Sequence, residues 1–288
     1  MSKEEINLLS PIEKYDLLLG NYKFTATKHE LYFRGPLRNS PTLADWEGFC
    51  NGVRCAGIHL PEPTEPIVVK NRDGLDITFQ PADLKALSGA SFFFVNKYSQ
   101  MGNPTQNDAI AADQPNPAIF DLALRYFIAE KQMPFVIDSH LGDEIWNESV
   151  VGFTRQIQDA GALSPLELVQ YPEAQSKVNI KVVLSSLAEI SIEESNRSTE
   201  KAVADGKLHN DIPMEYTLYL DAQKNAIGGS WAKAPTVDGV DFLWFSGSQG
   251  TDSKNPQGNG NKNLSFKVIK KLVTKASGPI RCQSIFHY

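Results

Sequence analysis

The amino-acid sequence predicts an α+β fold. Capped segments with helical periodicity crowd the first half of the chain, alternating strand-like runs crowd the second, and no repeat period links them. One elaborated domain of 288 residues is expected, with a helical part over about 1–132, a mainly antiparallel sheet over about 133–250 and a closing helix over about 263–276. A chain of that length buries a large core without staples.

Each element has its own signal. In "SPIEKYDLLLG", Ser10 is a helix N-cap, Pro11 takes the first helical position and Gly20 marks the end. "NYKFTATKHELYF" carries mixed signals and "RGPLRNSP" reads as a loop. From Trp46 the pattern is helical through "CNGVRCAGIHL" and stops at "PEPTEP". "PIVVK" and "LDITF" flank "NRDG" as the arms of a hairpin, and "PADLKALSGASFFF" is a helix with Pro81 in its first turn. The stretch from Val95 to Pro117, rich in Gly, Asn, Pro, Gln and Asp, reads as a loop of about twenty residues. "AIFDLALRYFIAEKQ" aligns Ile119, Leu122 and Tyr126 beside Phe120, Ala123, Leu124 and Phe127, a largely buried helix. "MPFVIDSHLG" is a short strand with Phe135 and Ile137 on one face and Val136, Asp138 and His140 on the other.

Further on, "KVNIKVVLSS" alternates as a strand, and "SLAEISIEESNRSTEKAVADG" reads as a polar, mobile link. "MEYTLYLDAQKNAIGGSWAK" is a hairpin turning at Ala222 to Asn225, and "DFLWFSGS" is a short aromatic segment. "QGTDSKNPQGNGNKN" has the composition of a flexible loop, and "LSFKVIKKLVTKAS" is an amphipathic helix with lysines on one face.

With 41% hydrophobic and 22% charged residues the composition is globular. A formal charge of -6 argues against a nucleic-acid partner, which needs a basic face. "MSKEEINLLSPIEKYDLLLG" has charges where a signal peptide needs an apolar core, and no apolar run approaches the ~18 residues of a membrane span. The expectation is a soluble protein with no membrane partner, either cytoplasmic or exported as an effector by a route that needs no cleaved signal.

Three cysteines, Cys50, Cys55 and Cys282, are too few for a disulfide scaffold. Cys50 stands at the start of a predicted helix, where unpaired N–H groups favour the thiolate. Gly48 and the Asn51–Gly52 pair allow close approach of a substrate carbonyl, and the N–H of Cys50 can help hold an oxyanion. Against this nucleophilic reading stands the core thiol, since cysteine is among the most buried residue types. Local spacing leaves both open; Cys55, five residues on, reads as core. Asp138 and His140, two apart on a strand, form either a carboxylate–imidazole pair or a solvated strand end. His29, His59, His209 and His287 read as surface or core fillers, and no zinc-type ligand spacing occurs.

"DWEGFCNG", "DITFQPADLKAL", "NPAIFD", "PFVIDSHLGDEIWNESVVGF" and "YTLYLDAQKNAIGGSWAKAPTVDGVDFLW", in that order, resemble the landmarks of the transglutaminase elicitor family over about Trp46 to Trp244. The most specific piece is "IWNESVVGF", similar to that family's Val-Trp-Asn-Gln-Pro-Val-x-Gly-Phe segment, with Trp146, Asn147, Val150, Gly152 and Phe153 retained. The resemblance implies a papain-like core in which a cysteine attacks a peptidyl glutamine and releases ammonia. The thioester then passes to a lysine or other amine, or to water. Its expected partners are a protein with an accessible glutamine and a lysine or amine acceptor.

By the same resemblance Cys50 falls on the nucleophile, Asp138 on the orienting carboxylate and Trp46 on a tryptophan beside the nucleophile; Asn51, Gly52 and Trp146 are expected at the substrate and oxyanion positions. Two positions depart from the pattern. Asp121 stands where the family has the histidine base, and Val53 where it has a tryptophan. An aspartate with an ordinary pKa near ~3.9 is a weak base toward a thiol. Either His140 supplies the base, with Asp121 or Asp138 orienting it, or turnover is lost and the fold serves as an effector or elicitor-type binding protein. A papain-like cysteine protease is a further alternative. No cofactor or metal is expected; calcium enters only through the family, because "LGDE" and "DAIAADQ" lack the spacing of a calcium loop.

Overall fold

The computed structural model describes residues 2–35, 48–93, 98–104, 114–142, 144–232, 238–247 and 261–278. In chain order the helices are α1 (Lys3–Asn7), α2 (Pro11–Leu18), α3 (Thr25–Phe33), α4 (Cys50–His59), α5 (Pro81–Phe92), α6 (Pro117–Ala123), α7 (Pro165–Gln170), α8 (Ile192–Ser195), α9 (Thr199–Ala204) and α10 (Phe266–Ala276). The strands are β1 (Ile67–Lys70), β2 (Asp76–Phe79), β3 (Tyr98–Gly102), β4 (Phe135–His140), β5 (Asn147–Asp159), β6 (Ser176–Leu187), β7 (His209–Leu220), β8 (Ala226–Trp231) and β9 (Asp238–Ser246). Leu124–Glu130 continues α6 as a π-helix. These elements form two compact units from interleaved segments, 1–98 with 189–208 and 246–288, and 99–188 with 209–245.

The first unit holds the early helices, the small hairpin and the closing helix. Ser10 caps α2 through a capping box with Glu13, Pro11 opens it, and Gly20 follows it at φ 66°. α3 has no cap of its own, because Phe24 is left-handed at φ 53°. Buried Asp16 replaces it, accepting from the N–H groups of Ala26 and Thr27 at 3.3 and 2.9 Å. β1 and β2 pair antiparallel around a loop in which Asn71 Oδ1 accepts from Asp73 and Leu75 N–H. α10 buries Phe266, Ile269, Leu272, Val273 and Ala276, the last four at the helical spacing that meets Tyr15, Ile77, Phe79, Leu84 and Leu87 in one core. The polar link expected over 186–206 instead contains two short helices capped by Ser191 and Ser198, and Glu62 pins the second by accepting from Thr199 N–H at 2.8 Å. Local capping together with the distant Glu62 contact, neither visible in composition, supplies that order.

The second unit is built on a seven-stranded sheet in the order β3-β9-β4-β5-β6-β7-β8. β4 through β8 pair antiparallel in succession, and β9 pairs antiparallel with β4. β5, β6 and β7 form its long centre, with Ile180, Val182 and Leu184 inward against Phe120, Leu124, Phe135 and Ile137. Part of the loop expected over 95–117 is strand β3, and Asn116 caps α6 from Ala118 N–H at 2.9 Å; residues 105–113 lie outside the described residues. The helix over 117–130 shows a second difference. Its buried side is Phe120, Ala123, Leu124 and Ile128, whereas Ile119, Leu122 and Tyr126 are exposed. Among the described residues no helix is long and apolar enough to cross a membrane.

Candidate functional site

Cys50 is the first residue of α4, half-buried, and no side chain of Phe49 caps the helix start. Gly52, two residues on, is where α4 meets α5. A Cβ there would sit 2.1 Å from Gly89 O and 3.0 Å from Phe93 Cα, so only glycine allows this crossing. The Asn51 side chain accepts from Gly52 N–H at 2.7 Å, and its amide reaches Phe93 O at 3.5 Å. Arg34, which sequence reasoning passed over, lies over the rings of Phe93 and Phe49 at 3.8 and 4.8 Å. A guanidinium stacked beside a helix N-terminus adds to a local field that favours negative charge. Cys55 is fully buried, as the core reading expected. Trp46 lies outside the described residues.

In the second unit Asp138 has no exposed surface. Its Oδ1 accepts from Trp146 N–H at 2.8 Å and from His140 N–H at 3.3 Å. Its Oδ2 is buried with no hydrogen-bond partner among the described residues, and so is His140 Nδ1. Burial pushes the Asp138 carboxyl up to about 7; the two N–H donors oppose that rise and the Asp241 carboxylate adds to it. Asp138 is therefore no solvated strand end, and the contact it makes to His140 is to the main chain. The register of β4 against β9 shifts between Asp138 and His140, and such an irregularity turns the later side chain out of simple alternation. Trp146 is 38% exposed and its indole N–H donates to Glu144 Oε2 at 2.9 Å.

Asp121 belongs to a separate network. Its Oδ1 accepts from Tyr216 OH and Arg155 Nε, each at 2.7 Å, and its Oδ2 accepts from Arg125 Nε at 2.8 Å and Arg155 Nη2 at 3.3 Å. Both oxygens are occupied by donors, two of them cationic. Burial and the Asp121 charge push the Tyr216 hydroxyl well above its ordinary value, so it stays a donor. The i, i+4 spacing of Asp121 and Arg125 was the one local hint of this arrangement; Arg155 and Tyr216 come from other strands.

The structure therefore gathers Asp138, His140 and Trp146, keeps Cys50, Asn51 and Gly52 together on the first unit, and gives Asp121 its own ion-pair cage. His59 meets Ser246 Oγ at 2.7 Å and stacks on Phe92, consistent with a filler role. Among the described residues no three His, Cys, Asp or Glu side chains gather around a metal-sized site.

The family model described as "Transglutaminase elicitor" matches residues 38–278. No curated protein matches the sequence. Among solved structures, the crystal structure of the GP42 transglutaminase from Phytophthora sojae is similar at a TM-score of 0.71 and 23% identity, covering 93% of this chain and 82% of that one. That likeness shows the mixed helix and antiparallel-sheet fold.

Proposed function

The chain belongs to the transglutaminase elicitor family, and on that premise we propose that it is a protein-glutamine γ-glutamyltransferase with a papain-like core. The observation that carries this reading is the pair of orphaned atoms, Asp138 Oδ2 and His140 Nδ1, two residues apart on β4 and buried with no partner among the described residues. Leaving buried polar atoms unpaired costs stability, and folds keep such atoms where chemistry uses them.

In the proposed reaction the Cys50 sulfur attacks the side-chain amide carbon of a peptidyl glutamine, and the thiol proton ends on the departing ammonia. The N-terminal end of α4 faces negative charge favourably as the oxyanion develops. A lysine amine then attacks the γ-glutamyl thioester, which forms the isopeptide bond and returns the proton and thiol; water in its place gives glutamate. Asp138, held by Trp146 N–H and with a carboxyl near 7, holds the main chain of His140, the proposed base, through His140 N–H on Oδ1. Asp121 has no part in proton transfer, because accepting a proton would break its ion pairs with Arg125 and Arg155.

The test is incorporation of a labelled primary amine into a glutamine-bearing protein with stoichiometric ammonia release. Cys50→Ala is expected to abolish both, and incorporation that persists in this variant would sink the reading. Peptide-bond cleavage without ammonia would favour a cysteine protease. A second reading, a binding protein of effector or elicitor type, is favoured by the half-exposed Trp146 at the head of "IWNESVVGF". It predicts no incorporation by wild-type protein.

A further inference from the structure

The β4–β5 ladder ends at the rung pairing Asp138 with Asn147. Past that rung the strands are joined by Ser139 N–H to Trp146 O at 3.1 Å and by Trp146 N–H to the Asp138 carboxylate. On the other side the register of β9 against β4 shifts between Asp138 and His140, where the pairing resumes opposite Asp238. The backbone that must hold Asp138 thus sits where one ladder ends and the other is irregular.

A side-chain contact spans this edge. Trp244 of β9 pairs with Val136, two residues before Asp138, so Trp244, Val136 and Asp138 share a sheet face; Asn147 shares it too, being directly opposite Asp138. The Trp244 indole N–H donates to Asn147 Oδ1 at 2.8 Å. Since β4 lies between β9 and β5, this hydrogen bond crosses an entire strand. Trp244 is 3% exposed and Asn147 7%, so water is a poor substitute for either partner.

We infer that Trp244 and Asn147 are positioning residues that strap β5 to β9 across β4 and thereby keep the Trp146 N–H on Asp138 Oδ1. Among the described residues Asp138 is gripped by that oxygen alone, and drift of Trp146 by about 1 Å would leave it only the longer bond from His140 N–H; misplacements of this size are enough to impair a catalytic group. The inference rests on the proposed function only for its kinetic consequence. The backbone consequence stands without it.

The experiment is Trp244→Phe in the full chain, which keeps the ring and removes the N–H. Hydrogen exchange of the Trp146 amide is expected to accelerate about tenfold, the scale of one lost buried hydrogen bond, while Val182 in the β6 centre keeps its protection. In the amine-incorporation assay kcat is expected to fall by a similar factor with KM unchanged. Should Trp244→Phe fail to fold, Asn147→Ala removes the acceptor and is read the same way. Wild-type exchange at Trp146 in a folded variant overturns the inference. If wild-type protein incorporates no amine, the proposed function falls and the exchange measurement alone decides the strap.

Discussion

Asp121 and Asp138 lie in the same unit, both without exposed surface, and their situations are opposite. Asp121 is met at both oxygens by two guanidinium groups and a phenol. Asp138 has two main-chain donors on one oxygen and none on the other among the described residues. Burial alone does not make a carboxyl reactive. What matters is whether the fold has already spent its lone pairs.

The contrast can be broken from either side. Asp121→Asn should give the largest effect, a loss of about 3 kcal/mol, because it leaves Arg155 facing a neutral group; the half-exposed Arg125 is partly re-solvated and adds less. Urea unfolding at neutral pH measures it, and a loss below half that figure would show that the cage is ornamental. The same network makes Asp121→His a poor way to restore a family-like base, since an imidazole placed among two guanidinium groups should destabilise the unit before it gains activity.

Asp138→Asn should act in the other direction on stability. The carboxyl titrates near 3.8 when unfolded and near 7 when folded, so the native state holds the extra proton between those values. Stability contributed by the neutral carboxyl is therefore complete below about pH 4 and is lost as pH rises through about 7. The variant has no such titration. At pH 8 it should exceed wild type by about 2 kcal/mol while losing amine incorporation, and at pH 4 the difference should vanish. Parallel stability curves across that range would refute the assignment. The smallest change is Tyr216→Phe, which removes one of the donors to Asp121 and should cost about 1.5 kcal/mol with no change in the pH slope. A thermal or urea titration at two pH values separates the two aspartates.

Much of the fold was legible because its signals are local. Ser10, Pro11 and Gly20 delimit α2, "NRDG" joins β1 to β2, Pro81 opens α5, and the apolar spacing of "FKVIKKLVTKA" gives α10 its buried row. What escaped was order that depends on distant partners. β3 has turn-rich composition and becomes a strand by lying beside β9, and the segment around α8 and α9 is held by Glu62 from another part of the chain. The helix after Asn116 misled for a related reason. Two neighbouring apolar stripes run along it, and periodicity cannot say which one the sheet will cover.

The candidate site divides the same way. Sequence by itself determined the family through ordered landmarks, the place of Cys50 at a helix start, the glycine two residues later, and the absence of a histidine at position 121. Tertiary structure alone decided what each carboxyl can do. Arg155 reaches Asp121 from 34 residues away and Tyr216 from 95, while Trp244 reaches Asn147 across a strand from 97. Backbone propensities and motif spacing act over a few residues. Charge, desolvation and hydrogen-bond supply at a buried atom are set by whichever strands the fold brings beside it, and no local pattern in "NPAIFD" or "FVIDSH" encodes those neighbours.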